Sequence, residues 1–325
     1  MKKTTVAWLL LGLFGAVAPA SAQTYPSKTI TIVSPAPAGG VTDIIARALA
    51  QRFSKAWGAQ AVVENKPGAN NQLAAEYIAN QPPDGHALFI APDGTFVANP
   101  SLYPKLPYDP YKSFAPISGL MQINHGLIEH PSFAPNNVKE LIELAKQKPG
   151  AINYGTYGIG SSGHLNMVLF EAMTGVKLQA VHYKGAAPAT NDVVAGHIQM
   201  CFVSAGSAVP LWKGGKLKLI AVGSEKRLPD HPDVPTINET LPQIKRALGW
   251  FALMGPPGTP QPIAQKVSDD LRAVLSEPEI KQRFTTVASY INPMSPAQLL
   301  DYIHTEQALW KPVIERISTF QAAPK

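Results

Sequence analysis

A β-branched run, Thr29-Ile30-Thr31-Ile32-Val33, leads into Ser34-Pro35-Ala36-Pro37-Ala38-Gly39-Gly40-Val41-Thr42-Asp43 and then into a helical segment, Ile44 to Trp57. No other stretch constrains the fold so strongly. β-Branched side chains suit a pleated, buried strand. Ile44, Ile45, Ala48, Leu49, Phe53 and Trp57 recur at the spacing of one helical face. The Pro/Gly segment between them is therefore a strand-to-helix loop at the carboxyl end of a strand. Open α/β sheets bind ligands at that edge, and unsatisfied N–H groups at a helix start favour an anion.

The following residues repeat the alternation. Ala61 to Glu64 reads as a strand, Asn65 to Gly68 as a turn, Asn70 to Asn80 as a helix, and Ala87 to Ala91 as a third strand. This βαβαβ order predicts a parallel sheet with right-handed crossovers. Asp93-Gly94-Thr95 then falls at the same sheet edge as the first loop. Residues 99–116 are dense in Pro and Tyr, a composition that disfavours helix and central strand and marks a connector. Phe114 to Leu120 and Gly126 to Ile128 read as strands.

A second α/β unit begins where Asn136 or Asn137 caps the helix Val138 to Lys148. Strand Ile152 to Tyr154, a Gly/Ser loop over 155–163, and helix His164 to Met173 follow. Strand Gln179 to His182, a helix ending near Ala195, strand 198–203, a helical turn near Ala208 to Trp212 and strand Leu217 to Val222 complete the unit. Pro229, Pro232, Pro235 and Pro242 mark a second connector. Gly249 to Met254 is an apolar strand, and the remainder is mostly helical. Two α/β units and two connectors predict a chain that crosses to a second lobe and returns, which creates a cleft and a hinge.

Lys2-Lys3, an apolar stretch centred on Trp8 to Val17, and Ala20-Ser21-Ala22 have the order of a secretory signal peptide cleaved after Ala22. The apolar run is short for a membrane anchor, the alternative reading. Removing these 22 residues from the 325 leaves 303, enough for two domains. The formal charge of +6 becomes +4 without Lys2 and Lys3, and no Lys/Arg run exceeds two. A nucleic-acid reader would gather its cations on one face. The single cysteine, Cys201, permits no intrachain disulfide and reads as a core thiol in a buried strand.

Gly158-Ile159-Gly160-Ser161-Ser162-Gly163 satisfies G-x-G-x-x-G between a strand and a helix. A dinucleotide site also needs a carboxylate about 20 residues later, at the end of the next strand. Val181, His182, Tyr183 and Lys184 stand there instead. The nucleophile elbow G-x-S-x-G fails at both Ser161 and Ser162, and the eight histidines show no metal-ligand spacing. What survives is a loop whose small residues admit a ligand to the backbone. His164 beside it reads equally as a ligand contact or a cap of its own helix, and His182 as structural. Asp43 reads as tying down the Pro37–Gly40 loop, or more plainly as a first-turn carboxylate favoured by the helix dipole. Tyr157, Phe96, Phe202, Trp250 and Phe251 are candidates for cleft or core.

Several stretches then converge. Tyr25-Pro26-Ser27-Lys28 through Ala38-Gly39-Gly40-Val41-Thr42-Asp43-Ile44-Ile45-Ala46-Arg47 resembles the opening of the periplasmic receptors of tripartite tricarboxylate transporters, the Bug family. Val62 to Ala69, Leu106-Pro107-Tyr108-Asp109-Pro110, Tyr183 to Ala189, Gly215-Lys216-Leu217 and Asp233-Val234-Pro235-Thr236 match further blocks. The resemblance spans the chain beyond residue 22. It implies a two-lobed α/β periplasmic binding protein fold, type II-like, with the ligand cleft between lobes. Lobe 1 is expected over 23–101 and 224–325, and lobe 2 over 102–223.

The resemblance further implies binding of a small organic carboxylate without enzymatic turnover or cofactor, and delivery to membrane components by a periplasmic monomer. Pro37, Ala38, Gly39 and Gly40 would hold the carboxylate from one side, and Tyr157, Gly160, Ser161, Ser162 and His164 from the other. Gly94, Thr95, Ser204, Ala205, Gly206 and Ser207 would line the cleft, and Asp43 would support the first loop. Phe96, Tyr157 and Ile159 replace smaller or polar family residues, and Gln199 an aspartate. The departures at Phe96 and at Tyr157 and Ile159 place larger apolar groups near the cleft and point away from amino-acid or citrate-like ligands, toward an aromatic or longer apolar carboxylate; an aromatic carboxylate or a dicarboxylate is the expected ligand. The alternatives are an exported hydrolase of small acids or esters and a periplasmic sensor.

Overall fold

The computed structural model describes residues 25–322, apart from 245, 246, 248, 287 and 288; the signal peptide and its cleavage site lie outside the described residues. Eleven strands are described: β1 Ile30–Ser34, β2 Ala61–Asn65, β3 Ala87–Pro92, β4 Ala115–Ile123, β5 His125–Glu129, β6 Asn153–Thr156, β7 Gln179–His182, β8 Met200–Ser204, β9 Lys218–Val222, β10 Trp250–Gly255 and β11 Ser289–Ile291. The helices are α1 Val41–Trp57, α2 Gln72–Ala79, α3 Asp93–Phe96, α4 Asn99–Leu102, α5 Val138–Gln147, α6 Ser162–Thr174, α7 Ala186–Val194, α8 Ala205–Lys213, α9 Ile237–Thr240, α10 Gln261–Ser276, α11 Pro278–Thr286 and α12 Pro296–Ala322.

The strands form two sheets, ordered β11-β4-β10-β3-β1-β2 and β7-β6-β8-β5-β9. β1 lies parallel to β2 and β3, as the βαβαβ pattern predicts, and β10 runs antiparallel to both β3 and β4. In the second sheet β6 is parallel to β7 and β8, and β5 is antiparallel to β8 and β9. Both faces of the first sheet are covered. Val33, Phe89, Ala91 and Trp250 pack toward α2 and α12, while Ile30, Ile32, Leu88 and Ile90 pack toward α1 and α10. The alternation is the strand period of two. On α1, Ile45, Leu49 and Phe53 are fully buried. Each such side chain contributes about 1.5–3 kcal/mol in transfer free energy. Gly58 ends α1 in the left-handed conformation at φ 63°, where a Cβ is costly.

The lobe boundaries differ from those expected. β4 belongs to the first sheet, so residues 102–123 are part of lobe 1 rather than lobe 2. The Pro-rich stretch before β4 wraps lobe 1: Tyr108 and Phe114 pack in its core. The return crossing also comes later than residue 223. Ile237, Leu241, Ile244 and Ala247 pack in the lobe 2 core, and Thr236 pairs beside Val222. The chain therefore crosses at Asn124 and returns at Gly249. Hydrogen bonds join these crossings, with Ile123 N–H donating to Gly249 O at 2.7 Å and Gly223 N–H to His125 O at 2.7 Å. Behind them lies a cavity of about 390 Å³ lined by Gln122, Asn124, Ser224, Arg227 and Tyr290, among others.

Candidate functional site

The carboxyl ends of β1 and β3 in lobe 1 and of β6 and β8 in lobe 2 carry the residues singled out in the sequence. After β1, Pro37, Ala38 and Gly39 are exposed and Gly40 is half-buried. Gly39 takes φ 82°, and its N–H donates to Asp43 Oδ2 at 2.9 Å. Gly40 N–H donates to Pro37 O at 3.1 Å. Two of the loop's donors are therefore engaged within the loop itself. The Val41 and Thr42 N–H groups open α1 beyond reach of any intrahelical acceptor and receive no side-chain cap.

Asp43 is 3 % exposed. Besides Gly39, it accepts from Arg47 Nε at 3.0 Å and Asn65 Nδ2 at 2.9 Å. Burial alone would push its carboxyl up. The Arg47 guanidinium, the Gly39 N–H and the Asn65 amide outweigh burial and hold it below its usual range. Asn65 also donates to Ala36 O at 2.9 Å, so β2 helps fix the loop.

The second loop, after β6, is more self-contained. Gly160, at φ 75°, donates its N–H to His164 Nδ1 at 3.1 Å. Ser161 caps α6: its N–H and hydroxyl both donate to Gly158 O, at 3.1 and 2.7 Å, and its Oγ accepts His164 N–H at 3.3 Å. His164 thus both caps the loop and sits buried at the site. The Ser162 and Gly163 N–H groups open α6 beyond reach of any intrahelical acceptor. A Cβ on Gly163 would overlap the Tyr157 ring. The Ser162 Oγ lies 2.9 Å from the Tyr157 hydroxyl. That hydroxyl in turn lies 3.0 Å from His125 Nε2.

Gly160 is the meeting point of the lobes. A Cβ there would overlap Leu102 Cδ1, with Asn70 Nδ2 at 3.4 Å and Ala98 Cβ at 3.7 Å. Leu165 and Val168 of α6 also join the cluster built on Phe89, Trp250 and α12. Gly94 and Thr95 are buried at this junction, and the Thr95 Oγ1 has no hydrogen-bond partner among the described residues. Asp93 accepts the Gly94 N–H at 2.6 Å and the Trp250 N–H at 3.1 Å. After β8, Ser204 and Gly206 are half-buried, Ala205 is buried and Ser207 is exposed. Ala205 N–H donates to Asn124 O at 2.7 Å, which puts this turn beside the hinge.

Phe96 does not line the cleft. It is fully buried, stacked 5.9 Å from Trp250 and edge-on to Phe114. Phe202 and Trp250 are also core residues, and Phe251 packs against the α1 side of the first sheet. Of the candidate aromatics, Tyr157 brings its polar atom to the site.

Two groups here went unrecognised in the sequence. Asn70 and Asn71 do not start a helix: with Ala69 they form a left-handed run at φ 46°, 49° and 70°. Asn70 Nδ2 donates to Asn99 Oδ1 at 2.7 Å, and Asn99 Nδ2 donates to the Tyr108 hydroxyl at 3.0 Å. Asn-Asn shortly after Pro-Gly is a signal for this conformation, since Asn tolerates it best after Gly. His125, at the start of β5, gave no sequence signal.

The electrostatics are uneven. Burial pushes His125 and His164 down to about 4, helped at His164 by His182, and burial lowers His182 as well. All three rings are neutral near pH 7. Burial raises the Tyr157 phenol, and the nearby Asp93 carboxylate adds to the effect. Cys201 is fully buried, and burial pushes its thiol up to about 12. Among the described residues, no group of three His, Cys, Asp or Glu is placed to hold a metal.

Residues 45–319 match the model of the tripartite tricarboxylate transporter family receptor, TctC. The chain belongs to this family. A curated relative, the protein BugT of Bordetella pertussis, is 28 % identical over 310 residues, covering 94 % of this chain and 95 % of its own. Rpa4515 of R. palustris, solved with adipate, aligns with a TM-score of 0.84 at 31 % identity, over 90 % of this chain and 97 % of that one. MatC of Rhodopseudomonas palustris, solved with malate, aligns with a TM-score of 0.80 at 30 % identity, over 89 % and 100 %. The TctC chain thus has the two-lobed fold of periplasmic solute-binding receptors.

Proposed function

We propose that this TctC receptor captures a small organic carboxylate in its interlobe cleft and presents it, without chemical change, to the membrane components of a tripartite transporter. The observation that carries this reading is the start of α1. Its Val41 and Thr42 N–H groups are uncapped, on a loop held rigid by Asp43. A helix start of this kind favours a carboxylate. The opposing α6 loop closes against lobe 1 at Gly160. A ligand bonded to both lobes only when they meet would raise the closed population. The signal-peptide pattern, with cleavage after Ala22, supports a periplasmic location, and the receptor acts as a monomer.

Dicarboxylates, as found in Rpa4515 and MatC, are the first ligands to test. The case for an aromatic acid is weaker than the sequence suggested, because Phe96 is turned into the core. For the hydrolase reading, Ser162 Oγ lies 3.5 Å from His125 Nε2. Tyr157 takes the shorter contacts to both, so the serine lacks a dedicated base.

A thermal-shift and calorimetric screen over mono-, di- and aromatic carboxylates is the test. Saturable stabilisation by one class is the expected result. Turnover of a chromogenic ester with no carboxylate stabilising the protein would overturn it.

A further inference from the structure

Two asparagines stand side by side after β2, and the fold makes use of one of them. Asn70 and Asn71 are both left-handed, at φ 49° and 70°. Asn70 serves the structure. Its Nδ2 donates to Asn99 Oδ1 at 2.7 Å, and Asn99 Nδ2 donates back to Asn70 O at 3.0 Å. This reciprocal pair pins the segment to α4, and Asn99 is itself tied to the Tyr108 hydroxyl.

Asn71 has no such duty. It precedes α2 at the position where an Asn side chain ordinarily accepts an N–H of the first helical turn. In its left-handed conformation it forms no cap bond. Its carboxamide has no hydrogen-bond partner among the described residues. The backbone does not call for an amide here either, since glycine adopts this conformation more readily.

The carboxamide is aimed at the junction of the lobes. Asn71 Nδ2 lies 3.9 Å from where a Cβ on Gly94 would stand. In the sheet β1 lies between β2 and β3. A segment that leaves β2 and reaches Gly94 after β3 therefore crosses the end of β1, whose loop leads to α1. Strand neighbours are ~4.8 Å apart, so this is the reach of a short ligand from the α1 start. From lobe 2, the Cβ position of Gly160 is 3.4 Å from Asn70 Nδ2. Asn71 thus offers its amide where the α1 start, α3 and the α6 loop converge.

The segments that meet there, 35–40, 69–72, 93–98 and 157–164, contain no Lys or Arg. An anionic group must be received by neutral donors. The Asp93 carboxylate, beside Gly94, is turned to the Gly94 and Trp250 N–H groups. Thr95, the next residue, is fully buried with its Oγ1 unpaired among the described residues. Spare donors suit an oxygen acceptor, and a charged acceptor binds them about twice as strongly as a neutral one.

We infer that Asn71 determines specificity: its carboxamide donates to the second carboxylate of a dicarboxylate whose first is held at the start of α1. The inference rests on the carboxylate reading of the cleft.

Calorimetry near neutral pH with acids matched in carbon number tests it, succinate against butyrate and adipate against hexanoate. In whichever length binds, the diacid is expected to bind about tenfold or more tightly than the monoacid. Asn71→Gly keeps the backbone and removes the amide, so this ratio should shrink about tenfold while Tm holds. Asn71→Asp, which also tolerates the left-handed conformation, sets a like charge against the second carboxylate and should lower the ratio further. A diacid no tighter than its monoacid in the parent protein overturns the inference. So does a ratio that the two variants leave unchanged, including the case in which both ligands weaken equally. Monoacid binding alone overturns the inference and leaves the cleft reading standing, whereas absence of binding by every carboxylate sinks both.

Discussion

Two buried carboxylates have opposite relations to pH. Asp43 is stabilised in its charged form by Arg47, Gly39 and Asn65, against the burial that opposes it. Its folded-state pKa lies below the ordinary 3.8, so its contribution is present above that value and is lost as pH falls through the folded value. Asp43→Ala leaves the Gly39 N–H and the Asn65 amide without their acceptor and should cost about 1–3 kcal/mol at pH 7. Urea denaturation should show the gap to wild type narrowing as pH falls below 3.8; a gap independent of pH would mean that the charge is not what braces the loop. Glu129, in the middle of lobe 2, is the reverse case. It is fully buried, and burial raises its carboxyl from 4.5 to about 8, with Lys218 at 3.5 Å offsetting only part and Glu140 adding to the rise. The folded protein then binds the extra proton, so this stability is full below 4.5 and declines as pH climbs through about 8. Glu129→Gln should remove that decline between pH 5 and 8. Denaturation midpoints that still fall in parallel with wild type would refute the assignment.

At the scale of elements, the periodic segments were legible and the special backbone was not. The buried face of α1, the parallel pairing of β1 with β2 and β3, and the Asn137 cap, which accepts Glu140 N–H at 3.0 Å, all follow from local residue patterns. The site loops were legible as Gly-rich strand ends. What lies behind them was not, because the chain from Ser162 through Tyr157 to His125 depends on tertiary contacts. β4 shows another limit: the prolines ahead of it read as an interdomain linker, and only pairing with β10 places it in lobe 1. The loop 69–71 failed differently. Its Asn residues suit the register of α2 as readily as they suit a left-handed turn, and packing against Asn99 decides. Asn71, at φ 70°, gives a direct check. Asn71→Gly should leave Tm within a degree or so, whereas Asn71→Val should cost about 1–2 kcal/mol through its branched Cβ. Equal melting temperatures for the two variants would show that this backbone relaxes at no cost.

At the scale of the whole molecule, the proposed closure brings the lobes together at Gly160. It stands in the left-handed region with Leu102 of the other lobe where a Cβ would go. Gly158 is its control: its φ of 132° also disfavours a side chain, but nothing lies within 4 Å of its Cβ position. Both alanine variants strain the same loop, and only Gly160→Ala also sets a methyl against a side chain of the other lobe, at Leu102 Cδ1. With saturating ligand, small-angle scattering should therefore show a larger radius of gyration for Gly160→Ala than for wild type, and Gly158→Ala should match wild type. Affinity should fall about tenfold or more further in Gly160→Ala than in Gly158→Ala, because a ligand held by α1 alone loses its contacts to Ser162. Closure must be the step affected, so the difference should appear mainly as faster dissociation. If the two variants show the same scattering and the same affinity, backbone strain explains both, and the contact between Gly160 and Leu102 does not limit closure.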